Sequence, residues 1–256
     1  MLSALNKQQL QLLTIFALYD TEGSQANRIL PILNSLPTGP CTDLKHLTKS
    51  LYTQGLIDEY SFNWRTDSYD HCVKPELLIK VMQYLVEKKP EETVEVLNAV
   101  GADLQPTIIQ KMLWEFISSS YQHVNIEKID DFAISKNLEI LVPAVLDYRF
   151  APLLLLFNKA NFFGLIENTI RYLFSSGELT DIYHLKNLIK GYQNTEITQQ
   201  KESLQCTLDL YSYLAYGKTP DFLLSSNRDH RVIAGIYEAL HGNDKKGFEH
   251  LKKALS

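Results

Sequence analysis

The chain has 256 residues, of which 45% are hydrophobic and 21% charged, with a formal net charge of −5. That length fits one large domain or two ordinary ones, and the composition is that of a globular protein. Few glycines (11) and prolines (9) exclude a collagenous or disordered chain, and the negative balance argues against a strongly basic nucleic-acid binder.

The N-terminus, Met1 to Lys7, lacks a basic region followed by an apolar run and cleavage site, so it does not read as a secretory signal. The most apolar run, Phe150 to Phe157, is far shorter than the ~20 residues a membrane span needs. It reads as a buried helix turn. Cys41, Cys72 and Cys206 are odd in number and widely spaced, which argues against a disulfide framework or a zinc site. A cytoplasmic protein is the expectation.

In chain order, Leu5 to Tyr19 carries Leu10, Leu13, Ile15, Phe16 and Leu18 at helical spacing, with Asn6 as cap. A second short helix is expected from about Ser24 to Leu33, bent or ended by Pro31. After the Pro37-Thr38-Gly39-Pro40 turn, Thr42-Asp43 caps a third helix with Leu44, Leu47, Leu51 and Tyr52 on one face. Gln54-Gly55 ends it. Leu56 to Trp64 then alternates apolar and polar, as a half-buried strand does. Arg65 to Ser68 reads as a hairpin tip and Tyr69 to Val73 as the returning strand. Pro75 starts a helix with Leu77, Leu78, Val81, Met82 and Leu85 inward.

Three helices, a β-ribbon and a closing helix resemble a winged-helix domain. The segment Leu47-Thr48-Lys49-Ser50-Leu51-Tyr52-Thr53-Gln54-Gly55-Leu56-Ile57 is similar to that family's recognition helix running into its wing. The resemblance covers about residues 5 to 88, a third of the chain, and rests on spacing.

Beyond Lys88-Lys89 the pattern is helical almost throughout. Helices are expected from Pro90, from Pro106, over Asn158 to Phe174, over Leu179 to Ile189, and over Ile197 to Tyr216. Val124 to Ile140 gives no clear period, and short helices are the reading there. Val232 to Leu240 and Gly247 to Leu255 form a helical hairpin around Gly242-Asn243-Asp244. Gly235, Gly247 and Ala254 fall where paired helices approach closely, with Leu251 between them. This resembles one tetratricopeptide repeat, departing from the pattern at Glu238, where an aromatic is usual. No convincing further copies align.

The expected fold class is therefore mainly α. A winged-helix domain (three helices plus a small β-ribbon) spans residues 1–88. An all-helical domain, tetratricopeptide-like or an irregular α-solenoid, spans 89–256. The combination resembles regulators joining a winged helix to tetratricopeptide-like repeats and, at fold level only, accessory regions preceding Swi/Snf-type helicase motors. Because a solenoid needs a polar capping element and the sequence stops at Leu251 to Ser256, immediately after a repeat-like helix, the chain is expected to be the N-terminal piece of a longer protein.

No phosphate loop, dinucleotide fingerprint, nucleophile elbow or zincin motif occurs, and no nucleophile with an oriented base can be assembled. No catalytic, cofactor or metal residue is assigned, and an enzyme is not expected. Asp130-Asp131 and Glu91-Glu92 read as helix-start electrostatics. The tyrosines at 183, 192, 211, 213 and 216 read as filling between helices.

The winged-helix resemblance implies a nucleic-acid-binding face of Lys45, His46, Lys49, Ser50, Thr53 and Gln54, with Arg65 at the wing tip. Residues 1–89 nevertheless hold nine basic and nine acidic side chains. DNA affinity draws largely on phosphate neutralisation, so only weak DNA contact is expected from a neutral domain. Two readings stand. The chain is a non-catalytic regulatory or targeting module of a nucleic-acid-linked protein, its winged helix contacting DNA or a partner and its helical domain carrying protein contacts. Alternatively, it is a purely protein-binding scaffold whose winged helix is structural. A protein partner is expected, membrane association is not, and the oligomeric state is unassigned.

Overall fold

The computed structural model describes residues 2–19, 28–63, 68–100, 104–118, 126, 129–177, 180, 182–192, 204–205, 207–212 and 228–255. The chain is mainly helical, with a two-stranded sheet, and divides into two compact units, 1–143 and 144–256. No helix among the described residues is long and apolar enough to cross a membrane.

The first unit is built around α1 (Lys7–Leu18). Its start is a capping box: Gln9 N donates to Asn6 Oδ1 and Asn6 N to Gln9 Oε1, both at 2.9 Å. Every residue from Leu10 to Leu18 is buried, including Gln11 and Thr14, which the apolar stripe alone does not require. The cause is packing from all sides. Helices α2 (Leu30–Ser35), α3 (Leu44–Thr53), α4 (Pro75–Lys88), α5 (Pro90–Val100) and α6 (Ile108–Ser118), together with strand β2 (Ser68–Val73), all contact α1. Thr14 stays satisfied by donating to Leu10 O at 2.8 Å, and Gln11 Oε1 accepts from Thr38 Oγ1 at 2.8 Å.

Residues 28–29 form a π-helical turn that leads into α2, and Pro31 sits in the first turn of α2, so the helical run changes type next to the proline but does not end there. The earlier part of that expected helix, 24–27, lies outside the described residues. α3 is capped by Asp43, which accepts from His46 N at 2.9 Å. It stops at Gly55, whose φ of 69° is the left-handed conformation that glycine adopts without a Cβ penalty. Gly55 N then donates to Tyr52 O and Leu56 N to Leu51 O.

β1 (Ile57–Asn63) pairs antiparallel with β2, with Ile57 opposite Val73 and Asn63 opposite Ser68. The register shifts between Glu59 and Ser61, so Tyr60 is an extra residue that bulges the ribbon. The tip, 64–67, lies outside the described residues. Pro75 starts α4, which buries Leu78, Ile79, Val81, Met82 and Leu85.

The first unit continues past the expected domain end at residue 88. Helix α5 buries Thr93, Val96 and Val100 and lies on α1, where Lys7 Nζ meets Glu95 Oε2 at 3.1 Å. Residue 88 is thus the junction between α4 and α5 inside this unit. Gln110 of α6 completes the attachment. It exchanges hydrogen bonds with Thr107 as a helix cap, and its Nε2 donates to Ala17 O and Tyr19 O at 3.4 and 3.2 Å. The C-terminal end of α1 is closed by another helix's side chain. Further on, α7 (Asp131–Lys136) is capped by Asp130, which accepts from Ala133 N, and α8 (Leu138–Leu146) comes next. Asp130, Asp131, Glu91 and Glu92 all lie at helix starts, as expected.

The second unit contains α9 (Ala151–Leu154), α10 (Lys159–Ser176) and α11 (Tyr183–Gly191), with helical residues at 207–212. In the apolar run, Leu153 and Leu154 are buried but Leu155 and Leu156 are exposed, so only half of the expected buried turn is inside. Tyr192 stacks on Phe162 with centroids 4.4 Å apart and donates to Phe157 O at 3.2 Å. Tyr211 is buried and its hydroxyl meets Thr180 N and O at 3.0 and 3.3 Å. Both fill space between helices. Tyr213 and Tyr216 lie outside the described residues. Lys186 pairs with the buried Asp209.

The chain closes with α12 (Arg228–Leu240) and α13 (Asp244–Leu255), packed as a hairpin. A Cβ on Gly235 would lie 2.7 Å from Leu251 Cγ, and one on Gly247 would lie 2.9 Å from Gly235 O and 3.2 Å from Ala239 N. The backbones touch because both contact positions are glycine.

These contacts set two stability outcomes. Gly247→Ala should destabilise the hairpin, because overpacking against backbone costs about 1–3 kcal/mol while the helix-propensity gain is about 1 kcal/mol. Faster limited proteolysis within 228–255 is the expected readout, and unchanged or slower cleavage would contradict the packing. Gln110→Ala should lower unfolding free energy by about 1–3 kcal/mol, since two buried carbonyls lose their donor. Urea denaturation measures this, and a loss below about 0.5 kcal/mol, the usual surface-substitution range, would mean that they find other donors.

Candidate partner-docking face

Helix α3 separates its side chains by phase. Leu47, Thr48 and Leu51 are buried, and the helix lies against α1. Lys45, His46, Lys49, Tyr52 and Thr53 are exposed on the side away from that core. The sequence reading put Tyr52 among the inward residues. It belongs outside because it stands seven residues, two full turns, after Lys45. That spacing was legible, but an aromatic beside Leu51 pointed to the core.

The structure brings Lys45, His46, Lys49 and Thr53 onto one outward face. Ser50 and Gln54 are placed differently. Ser50 Oγ accepts from Gln9 Nε2 at 2.7 Å, which engages it toward the start of α1, and from Gln54 Nε2 at 3.2 Å, which turns Gln54 back onto its own helix. Thr53 Oγ1 donates to Lys49 O at 2.8 Å. Arg65 lies outside the described residues. The base of the ribbon adds charge of both signs: Lys74 Nζ lies 3.5 Å from Asp58 Oδ1 and His71 Nε2 3.8 Å from Glu59 Oε1.

The His71-Cys72 pair holds no ligand arrangement. His71 faces Phe16, with ring centroids 6.4 Å apart. Burial pushes the Cys72 thiol up to about 11, and the nearby Asp58 and Glu139 carboxylates push in the same direction. A thiol held protonated is a poor nucleophile at neutral pH. Among the described residues no group of three His, Cys, Asp or Glu side chains could hold a metal ion.

The first unit also has a cleft of about 320 Å³ lined by Leu18, Leu97, Leu104, Pro106 and Trp114, with Lys111 and Glu115 at its rim. Those two are an i,i+4 ion pair at 3.8 Å. Tyr19 and Gln105 also line it, and together with the one opposed charge pair they do not assemble a nucleophile with a base.

No known protein family, curated protein sequence or solved structure matches this chain.

The Cys72 environment sets a pH window. The folded thiol holds its proton up to about 11, against 9.0 as the ordinary value, so the unfolded chain loses the proton first. Stability from this group is complete below pH 9 and declines as pH rises toward 11. In a Cys41→Ser/Cys206→Ser variant, maleimide labelling of Cys72 should be at least about ten-fold slower than for free cysteine at pH 7.5. Labelling at the free rate would remove this assignment.

Proposed function

We propose that this chain is a non-catalytic docking module of a nucleic-acid-linked assembly. Its first unit uses a winged-helix arrangement to make weak, salt-sensitive contact with duplex DNA, and its second unit carries protein contacts. The observation that carries this reading is the outward face of α3. Lys45, His46, Lys49 and Thr53 are exposed together on a helix whose other side is buried, directly before a two-stranded ribbon. A helix offering polar and basic side chains from a rigid bed suits a groove or a charged partner surface. The neutral balance of residues 1–89 keeps the expected affinity low.

A second reading is favoured by Ser50 and Gln54. Ser50 accepts from Gln9 of α1 and from Gln54 of its own helix, which gives that flank of α3 an internal bracing role. In that case the winged-helix arrangement is structural and the chain is a protein-binding scaffold.

A fluorescence titration with labelled duplex DNA separates the two. Direct contact gives a Kd of roughly micromolar order at about 50 mM salt, weakening steeply as salt rises. The Lys45→Ala/Lys49→Ala variant should reduce the log–log salt slope by about 2. No binding at micromolar protein, or a slope unchanged by the double substitution, assigns the first unit to the scaffold reading.

A further inference from the structure

We propose that the outward row of α13 docks an acidic amphipathic helix belonging to a protein partner. The inference rests on the reading that the second unit carries protein contacts, and it names the chemistry of the contact.

Helix α13 buries Gly247 and Ala254, and its small-residue side is committed to α12. Its outer side carries Lys245, Phe248, Lys252 and Leu255 at successive spacings of three, four and three residues, so they form one continuous row. Phe248 is 68% exposed and Leu255 81% exposed. Two large apolar side chains two turns apart, each next to a lysine, make an alternating apolar and basic surface. Lys246 and Lys253 extend the positive charge, while Asp244 and Glu249 are the acidic groups of the same helix. Among the described residues no ion pair engages Lys245, Lys246 or Lys252.

Charge identifies the occupant. Residues 228–256 hold six basic and four acidic side chains, a positive excess within a chain of net charge −5. A partner helix with carboxylates flanking apolar residues at i, i+3 and i+4 meets each lysine and each apolar side chain of the row. A membrane surface fits less well. An interfacial helix needs a broad apolar face, and the remaining side of α13 is already packed on α12. Nucleic acid fits less well again, because Phe248 and Leu255 stand where phosphate contacts would need polar groups. The Gly235–Gly247 approach fixes the two helices of the hairpin against each other, so the row is presented without rearrangement.

The test uses the full chain and two fluorescent peptides of about 18 residues, a length that supports helix formation. One has leucines along a single helical face with flanking glutamates, and its twin has lysines in place of the glutamates. The acidic peptide should bind with a Kd of roughly tens of micromolar, as a small interface does. It should weaken by about ten-fold or more between roughly 50 and 500 mM salt. Lys245→Glu/Lys252→Glu should lose the acidic peptide and gain the lysine twin. Phe248→Ser should lose the acidic peptide while keeping the circular dichroism of the parent, since the side chain is exposed. Equal binding of both peptides would overturn the proposal. So would preferential binding to phosphatidylserine vesicles, or self-association of the chain that Phe248→Ser removes. The charge-reversed variant leaves α3 intact, so an unchanged DNA titration separates failure here from failure of the DNA reading.

Discussion

The first unit depends on a helix that is covered from every direction. α1 has a run of nine buried residues, Leu10 to Leu18, and that run includes a glutamine and a threonine. Such burial requires neighbours on all sides and calls for partners for the polar groups, which Thr14 and Gln11 Oε1 have and Gln11 Nε2, among the described residues, does not. Both requirements shape the rest of the unit. α3 and α4 cover parts of α1, α5 and α6 cover others, and Gln110 closes the carbonyls at its C-terminal end. The ribbon contributes β2 to the same surround. Removing α5 and α6 would therefore uncover apolar surface of α1, and the compact unit runs on beyond residue 88.

The surface of α3 is set by this constraint. Its core face is fixed by Leu47 and Leu51, so the residues half a turn away must face outward. That places two lysines, a histidine, a tyrosine and a threonine together. It also places Ser50 at the margin, close enough to the α1 capping box for Gln9 to donate to it. Gln9 thereby joins the start of one helix to the flank of another. The cost is that Ser50 and Gln54 are drawn away from the outward set. The positive charge left on the face is modest, since it holds two lysines and a histidine.

The second unit uses different physics in its two described parts. Around α10 and α11 aromatic rings fill the gaps, and tyrosine hydroxyls reach backbone groups that would otherwise lack partners. In the α12–α13 hairpin the helices meet at small residues. Gly235 and Gly247 let backbone meet backbone, with Leu251 packed over the gap. A hairpin this thin has little interior to hide large apolar residues, so Ile236, Leu240, Phe248 and Leu255 remain on its outside. Close approach within the hairpin and an apolar exterior are two results of the same small residues.

By itself, the sequence determined the helical class, the ribbon after Gly55, the caps at Asn6 and Asp43, and the close-contact positions Gly235 and Gly247. These are local properties: hydrophobic period, cap chemistry and the absence of a side chain are written in consecutive residues. The outward set on α3 was legible in part for the same reason, through Lys45, His46, Lys49 and Thr53. Tertiary structure alone decided that α1 is buried on all sides, that α5 and α6 join the first unit, that Ser50 is engaged by Gln9, and that Leu155 and Leu156 lie outside. Each of these depends on which distant segment packs against the residue. The contact between Gln110 and Ala17 crosses 93 positions, and no local period encodes it.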